Sequence, residues 1–512
     1  MKSEPHTSEH GASLKWAKVV DQTKCIGCHA CTTACKSENE VPLSVTRTYV
    51  KSVDVGRFPD SRREFQVTRC NQCDAAPCVT ACPTSAMYRR SDGIVDFDKS
   101  VCIGCKACMA ACPYDAIFIN PEDHSAEKCN FCAHRIDIGL EPACVVVCPT
   151  EALIVGDIND PTTKLSELLE QDPVSVRRPE KNTHPKLFYK GASQATLDPL
   201  KAQRPDGGLF MWSEQGLGPK TVSSGHPERK GTSAAALLSY DVPHKIPWDW
   251  RVSLYTWTKS IAAGAYVVPL IAVLSGLLSW ESNLWLWVAP GVSLAFLVAT
   301  GVVLIADLEH PKRFYYLFLR PQWKSWLVRG SVVITGYGGI LVLHLILSSL
   351  GLTEPQKWIA FVGVPFAVAA AIYTAYLFAQ AKARDLWQSP LLGPHMFFQA
   401  GMVGAAVTIL AAYWMNKDSV GSLLWLLGGL SFVHLVGVAA DISPPHRTEH
   451  VSVAICELIR GRYAVYFWLS TVFVLVAFFA PVVGIAAAPL ALIGLLLYEH
   501  AYVQAGQAVP IA

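Results

Sequence analysis

CIGCHACTTAC at residues 25–35 and CIGCKACMAACP at residues 102–113 decide the fold of the first part of this chain. Two related stretches accompany them: CNQCDAAPCVTACP at residues 70–83, and a fourth group at residues 129–148 with an insertion between its second and third cysteines. Sixteen of the 17 cysteines belong to these groups: Cys25, Cys28, Cys31, Cys35, Cys70, Cys73, Cys78, Cys82, Cys102, Cys105, Cys108, Cys112, Cys129, Cys132, Cys144 and Cys148. The remaining one, Cys456, stands alone in the apolar half, and we interpret it as a bystander.

The spacing within these groups indicates iron–sulfur clusters. The first and third groups match the run C-x₂-C-x₂-C-x₃-C, in which three cysteines of one loop bind one cubane and the fourth binds the other cluster of a pair. Zinc sites use pairs of C-x-x-C rather than such triplets. A disulfide framework needs an oxidising compartment and is usual in small secreted domains. We therefore predict four [4Fe-4S] clusters in preference to zinc or disulfides.

Short β-like stretches lie between the cysteine groups, for example Gly93–Phe97 and Ala116–Ile119. Each cysteine loop is thus expected between brief strands and helices. This pattern predicts an α+β domain with a duplicated ferredoxin-like fold over residues 1–156. Cluster ligation should supply much of its stability, as metal binding does in other small metal-binding domains.

Residues 16–156 resemble the four-cluster electron-transfer subunit of the dimethyl sulfoxide reductase and polysulfide reductase family. Spacing alone defines only the triplets of cysteines. The resemblance implies that the first group pairs with the fourth and the second with the third. The implied ligand sets are Cys25, Cys28, Cys31 with Cys148; Cys129, Cys132, Cys144 with Cys35; Cys70, Cys73, Cys78 with Cys112; and Cys102, Cys105, Cys108 with Cys82.

Residues 157–250 are rich in proline, glycine and charge, which is typical of a connector. Two apolar islands, Leu187–Tyr189 and Leu209–Trp212, favour partial docking on a neighbouring surface. A pure linker is the alternative.

The third part, residues 251–512, is dominated by apolar runs long enough to cross a lipid bilayer. It predicts an all-α bundle of eight transmembrane helices. The last two spans share one apolar stretch, and we divide them at Pro481–Gly484. The predicted spans are residues 259–279, 284–306, 330–350, 358–380, 395–415, 420–440, 463–481 and 483–500.

Lysine and arginine are distributed unevenly between the two sides of this bundle. One side has 13, namely Lys245, Arg251, Lys259, Lys312, Arg313, Arg320, Lys324, Arg329, Lys382, Arg384, Arg447, Arg460 and Arg462, and the other has Lys357 and Lys417. Positive loops stay in the cytoplasm, so we expect a multi-pass protein of the inner membrane with a cytoplasmic iron–sulfur domain. Charges that face a bound protein would give the same bias. The stretch MKSEPHTSEHGASLKW has no apolar core of a signal peptide, so we expect no export address there.

Two segments of the apolar half resemble the NrfD-like membrane subunit of polysulfide reductase. They are Asp307-Leu-Glu-His-Pro-Lys-Arg-Phe314, continued by Arg320-Pro-Gln-Trp-Lys-Ser-Trp326, and Glu499-His-Ala-Tyr-Val-Gln-Ala-Gly-Gln507. The resemblance covers about residues 250–512. It implies a quinone bound near the iron–sulfur subunit and no haem. Members of that family usually carry the membrane domain on a separate chain, so its fusion here to an iron–sulfur domain departs from the family pattern.

The quinone site is expected on the iron–sulfur side of the bundle, among Asp307, His310, Arg313, His395, Asp441 and Glu499. Quinone chemistry moves two protons with two electrons, and carboxylates and histidines near an electron donor can pass those protons. Two alternatives stay open. Each of these groups alone could be an interfacial side chain that reaches water, and Asp307 with Arg313 could be a structural ion pair.

Haem is the main alternative cofactor for a redox-active membrane domain. His344 and His434 lie within predicted spans, where an axial pair could sit, but an intramembrane histidine more often hydrogen-bonds a neighbouring helix. We expect no haem.

The sequence therefore predicts an electron-transfer and membrane-anchor subunit that exchanges electrons with menaquinone or ubiquinone in the lipid bilayer. By resemblance, a separate catalytic subunit with a molybdenum or tungsten pterin (molybdopterin) cofactor supplies the substrate chemistry. The alternative is a redox-driven proton- or ion-translocating subunit, or an anchor without its own quinone site. A net charge of +2 gives no indication of nucleic acid as a partner.

Overall fold

The computed structural model describes residues 14–203, 235–443 and 445–512. The apolar island predicted at Leu209–Trp212 lies outside these residues.

The first part of the described chain alternates short strands with short helices, as the cysteine-rich sequence predicts. Its strands are β1 (Trp16–Asp21), β2 (Thr48–Arg57), β3 (Asp60–Arg69), β4 (Met87–Arg89), β5 (Val95–Phe97), β6 (Ile117–Ile119), β7 (Ala126–Lys128), β8 (Leu153–Asp157), β9 (Val174–Ser175), β10 (Leu187–Lys190) and β11 (Leu237–Tyr240). Its helices are α1 (Ala30–Glu38), α2 (Pro77–Ala81), α3 (Ala107–Ala111), α4 (Ala133–Ile136), α5 (Ala143–Val146), α6 (Lys164–Gln171) and α7 (Gln194–Leu197).

These strands form four small sheets, and two of the sheets include strands from the stretch predicted as a connector. The strand orders are β8-β1-β10-β9, β11-β2-β3, β4-β5 and β6-β7. Strand β10 pairs in parallel with β1, with Lys18 opposite Leu187. Strand β11 pairs antiparallel with β2, with Val53 opposite Leu238. The apolar island at Leu187–Tyr189 is therefore part of a sheet in the iron–sulfur domain.

The apolar half is helical throughout its core. Its helices are α8 (Trp250–Leu274), α9 (Ala289–Ala306), α10 (Tyr316–Leu319), α11 (Trp326–Ser349), α12 (Thr353–Gln380), α13 (Leu392–Met415), α14 (Val420–Ile442), α15 (Glu449–Ile459), α16 (Ala464–Phe478), α17 (Ala480–Val483) and α18 (Ala487–Ala508), and a π-helical turn at Leu284–Val288 precedes α9. Among the described residues, seven helices are long and apolar enough to cross a membrane, and the bent pair α15 and α16, at 72°, makes eight if it counts as one span.

The first span differs from the predicted one. Helix α8 begins at Trp250, where the Asp249 carboxylate accepts from the backbone N–H of Arg251 at 2.8 Å, and it ends before Gly276, whose φ is 78°. The predicted span of residues 259–279 therefore starts nine residues too late. Lys259, which we counted as a flanking charge, is fully buried within α8. Without it the tally of basic residues is twelve against two.

Helix α8 lies at the centre of the bundle and packs tightly on α13. A Cβ atom added to Gly264 would overlap the Ala400 carbonyl oxygen, and one added to Gly404 would overlap the backbone of Gly264. Small residues at such a crossing let two backbones approach closely. This places the polar side chains of α8 deep inside the bundle.

Candidate cluster and quinone sites

Two cavities of the iron–sulfur domain are each lined by four cysteines. One is lined by Cys82, Cys102, Cys105 and Cys108. The other is lined by Cys70, Cys73, Cys78 and Cys112. Four thiols around an open space fit a cubane, whereas a tetrahedral zinc ion needs its ligands to meet at one point.

The other eight cysteines divide in a similar way. Cys35 is close to Cys129, Cys144 and Cys132, and burial together with these thiols raises its pKa to about 12. Cys25 is close to Cys148 and Cys28, and burial raises its pKa as well. Buried thiols of this kind bind as thiolates only when a cation such as cluster iron replaces the proton. The donor sets present therefore fit four iron–sulfur clusters.

Arg69 is a functional candidate that the sequence reasoning missed. It immediately precedes Cys70, it is 2% exposed, and its guanidinium donates to the Cys144 sulfur at 3.0 Å. Lys18 lies 3.9 Å from the same sulfur. Although burial alone would raise the pKa of Cys144, Lys18 and Arg69 lower it to about 7. Hydrogen bonds to cluster sulfurs adjust reduction potentials, so Arg69 can adjust the cluster that Cys144 would hold.

The loop between Cys102 and Lys106 rests on the membrane half. The backbone N–H of His310 donates to the Ile103 carbonyl at 3.2 Å, and the Arg313 guanidinium donates to the Cys102 carbonyl at 2.9 Å. A Cβ atom added to Gly104, whose φ is 67°, would overlap the Glu309 side chain. One four-cysteine set therefore lies directly against the loop that follows α9.

An apolar cavity opens in the membrane half beside this cysteine loop. Its volume is about 90 Å³, which is below the roughly 300–1,000 Å³ of most small-molecule sites. Its wall consists mainly of apolar side chains from α8, α9, α10, α11 and α12. Four other lining residues have titratable side chains, and the first of them belongs to a cysteine loop: Cys105, Tyr255, Asp307 and Tyr373. We call it the Asp307 pocket.

Asp307 is the carboxylate of this pocket and lies just after the last residue of α9. It is 9% exposed, and burial raises its pKa to about 6 although Lys106 opposes the shift. Its nearest cations are Lys106 at 3.7 Å and Arg251 at 4.0 Å. Arg313 instead donates to backbone carbonyls of the cysteine loop. The alternative of an Asp307–Arg313 ion pair thus does not match the contacts that either side chain makes.

The six predicted quinone-site residues lie in three places rather than one. Asp307 lines the pocket, whereas His310 and Arg313 hold the cysteine loop one turn further on. His395 and Asp441 approach each other inside the bundle, at 3.7 Å between His395 Nδ1 and Asp441 Oδ2. Glu499 is buried near His395.

The inner residues form a group of neighbouring polar side chains that we call the interior chain. Ser389 donates to Asp441 at 3.2 Å, and His395 Nε2 lies 2.8 Å from His434 Nδ1. Glu499 neighbours His395, Thr256 and the buried Lys259, whose ammonium donates to the Ala371 carbonyl at 2.5 Å. Tyr255 is near enough to both Glu499 and Asp307 to feel their charge, and its buried hydroxyl has no hydrogen-bond partner among the described residues. The sequence reasoning missed Lys259 and Tyr255 because both are ordinary positions of a long apolar helix.

The two histidines considered as haem ligands have other partners. His344 Nδ1 lies 2.9 Å from the Tyr266 hydroxyl, and its Nε2 lies 2.9 Å from Gln356 Nε2. His434 belongs to the interior chain. The absence of haem stays a prediction.

Comparisons with known proteins match different parts of the chain to different families. The family described as "Polysulphide reductase, NrfD" matches residues 240–510, a "4Fe-4S dicluster domain" matches residues 62–158, and a "4Fe-4S binding domain" matches residues 22–41.

Relatives of the iron–sulfur part are components of reductases. The B subunit of tetrathionate reductase from Salmonella typhimurium is 41% identical over 214 residues, which cover 41% of this chain and 84% of the relative. The corresponding B component of polysulfide reductase from Wolinella succinogenes is 44% identical over 177 residues, 34% of this chain and 93% of the relative. The iron–sulfur subunit ArrB of the arsenate respiratory reductase of a Shewanella species is 34% identical over 224 residues, 34% of this chain and 96% of the relative. This chain therefore belongs to the NrfD polysulphide reductase family and joins to that membrane domain the 4Fe-4S electron-transfer subunit of a reductase complex.

Proposed function

We propose that this chain carries electrons between a separate catalytic subunit and the membrane quinone pool through four [4Fe-4S] clusters. One observation carries the proposal. The Asp307 pocket is apolar, lies within the membrane half, and includes Cys105 of a cluster loop in its wall. A quinone in this pocket would reach a cluster without leaving the bilayer. The direct test is whether quinol reduces the clusters of the purified chain.

The cluster sets differ in their exposure, which supports a route through the domain. Cys28 is exposed, and Cys25 and Cys148 are partly exposed. Exposed apolar residues, Ile26 and Val146 among them, lie close to them in sequence. The set with Cys105 lies instead against the membrane half. Each cluster would pass one electron at a time. Because of their positions, the exposed set would face a soluble partner and the Cys105 set would face quinone.

The side chains of the pocket suit proton exchange with a quinone. Asp307 is buried beside a cluster loop, and its raised pKa of about 6 lets it hold or release a proton near neutral pH. Tyr255, Tyr373 and Ser331 add hydroxyl groups to a mostly apolar wall. Lys106 and Arg251 near Asp307 would stabilise negative charge at this end of the pocket.

The interior chain supports a second role, the supply of protons to the pocket. We infer a route from Ser389 and Asp441, at the iron–sulfur side of the bundle, by way of His395 and Glu499 towards Tyr255. We propose His395, Asp441 and Glu499 as proton carriers in this route. Net translocation of protons is the second candidate function. A pH-sensitive dye inside proteoliposomes would separate the two roles, because translocation changes the internal pH and local supply does not.

The partner that we propose is a catalytic subunit with a molybdenum or tungsten pterin cofactor. The relatives named above are components of reductases, and the iron–sulfur part of this chain corresponds to nearly the whole of those subunits. We further propose the division into residues 1–156 for the clusters, 157–250 for a connector partly docked on the cluster domain through β9, β10 and β11, and 251–512 for quinone binding.

Iron analysis should find about 16 irons and about 16 acid-labile sulfides per chain, because four cubanes contain that number. Anaerobically purified protein is the material to measure. A preparation dominated by zinc, or an iron count near half of that, would contradict the four-cluster assignment.

A reporter fused after Ala512 should behave as cytoplasmic, because eight spans return the chain to the side on which the bundle begins. This expectation needs the bent pair α15 and α16 to cross once. A second reporter in the loop between α11 and α12, near Leu350, should behave as periplasmic. A periplasmic signal after Ala512 together with a cytoplasmic signal near Leu350 would place the iron–sulfur domain outside the cytoplasm.

A further inference from the structure

A buried group of basic side chains lies where the connector meets the membrane half. Arg178 and Lys181 come from the connector, and Arg384 and His450 come from the membrane half. They surround one buried carboxylate, that of Asp385. We call this group the Arg178–Arg384 cluster. It is separate from the cysteine sets and from the Asp307 pocket.

Several donors of this cluster have no hydrogen-bond partner among the described residues. They are both terminal nitrogens of Arg178 and the Nε of Arg384. Arg178 is 6% exposed and Arg384 is 5% exposed. The buried Nδ1 of His450 also lacks a partner. A buried polar group without a partner costs about 1–3 kcal/mol, and more when it is charged.

The acids nearby do not balance these cations. Asp385 is in contact with Lys181 and accepts from Thr448 at 2.8 Å, so its oxygens are already engaged. It lies 3.7 Å from Arg178. Glu180 reaches the Nε of Arg178 at 3.3 Å but is itself 54% exposed. Arg384 donates its Nη1 to the carbonyls of Gln507 and Val509. Two buried arginines and the partly exposed Lys181 therefore share Asp385, because Asp115, the other acid that acts on Arg384, is already paired with His244.

We propose that the Arg178–Arg384 cluster binds an oxyanion of the phosphate class. Guanidinium groups bind phosphate oxygens through paired hydrogen bonds, and the unbonded nitrogens of Arg178 and Arg384 are of this type. The cluster lies between the end of α12, the start of α13 and the start of α15, at the iron–sulfur face of the bundle. Basic pockets between helices at such a face bind lipid head groups.

The bound anion would join two parts of the chain. Arg178 and Lys181 belong to the stretch that contributes β9 and β10 to the iron–sulfur domain, whereas Arg384 precedes α13. By neutralising the repulsion among these three cations, the anion would hold the iron–sulfur domain at a fixed position on the membrane half. The source is either the phosphate of a phospholipid head group or free inorganic phosphate.

The test uses the delipidated full chain in dodecyl maltoside micelles and a phosphate-free buffer, and measures thermal unfolding by the loss of cluster absorbance. Phosphatidylglycerol is added to one sample and inorganic phosphate to another. An anion that binds only the folded state should raise the midpoint by about 2–4 °C. An increase with phosphatidylglycerol alone identifies a lipid head group, and an increase with inorganic phosphate identifies the free ion. An unchanged midpoint with both would overturn the proposal.

Variants then tie the effect to the site. Arg384→Gln and Arg178→Gln should each abolish the stabilisation by the anion, whereas Arg320→Gln, an exposed arginine on the same face, should keep it. If Arg384→Gln or Arg178→Gln retained the full increase of the unfolding midpoint, the anion would bind elsewhere and the assignment would fail. Should both variants fail to fold, native mass spectrometry of the unmodified chain decides, since the proposal requires a retained phospholipid or phosphate mass.

Discussion

Asp307→Asn should slow quinol-linked turnover by about a hundredfold or more, the range expected for loss of a proton-transfer group. Asparagine keeps the size of the side chain and removes its ability to exchange a proton. Asp307 is the only carboxylate that lines the pocket in the part of the chain that the structure describes. Activity measured with an artificial dye should survive, because the dye takes electrons from the clusters and bypasses the pocket.

The matched control for this variant is Glu354→Gln. Glu354 is an exposed acid at the start of α12, on the opposite side of the bundle, where it pairs with Lys357 at 2.6 Å. It should leave both activities unchanged. Normal quinol-linked turnover in assembled Asp307→Asn protein would show that Asp307 is structural and that the pocket assignment is wrong.

Cys105→Ser should abolish electron transfer between the clusters and quinone. Cys105 lines both a four-cysteine cavity and the Asp307 pocket, so the cluster that it would hold is the one nearest to quinone. Loss of that cluster would lower the iron content from about 16 to about 12 per chain. Reduction of the other clusters by dithionite should persist.

Cys456→Ser serves as the control, because Cys456 belongs to none of the four cysteine sets. It should keep the full iron content and normal quinol-linked turnover. The carbonyl of Cys105 accepts from the Trp248 indole at 3.3 Å, and a serine keeps this contact. The membrane half of the Cys105→Ser protein is therefore expected to fold, and its helix content provides the check. Quinol-linked activity in a protein that lacks only this cluster would contradict the proposed route.

The cysteine pattern predicted more of this protein than any other feature. Spacing defined the triplets, and the two four-cysteine cavities contain the cysteines that the resemblance groups as two of the sets. The assignment of all four ligand sets stays a prediction. The start of α8 was predicted wrongly because a hydropathy window penalises Arg251 and Lys259, although Asp249 caps the helix and the bundle buries Lys259. Composition also could not reveal that β10 and β11 join sheets, since strand pairing depends on distant partners.

The quinone-site residues were chosen because they share one face of the bundle. This criterion could not separate residues that line the pocket from residues that only support the structure. His310 and Arg313 are close to Asp307 in sequence, yet their contacts are to the backbone of the cysteine loop. His395 and Glu499 lie on helices that meet only in the folded bundle. Lys259 and Tyr255 have no signal in the sequence that distinguishes them from other residues of α8.

The most direct test of the proposed electron route is the reduction of the clusters by quinol in the purified full chain. The protein is placed in nanodiscs without its catalytic partner, menaquinol or ubiquinol is added anaerobically, and the cluster absorbance and electron paramagnetic resonance are followed. The route from the Asp307 pocket to the Cys105 set predicts electron exchange between quinol and the clusters, with loss of this exchange in Asp307→Asn. Clusters that dithionite reduces fully, but that exchange no electrons with either quinone couple in either direction, would contradict it.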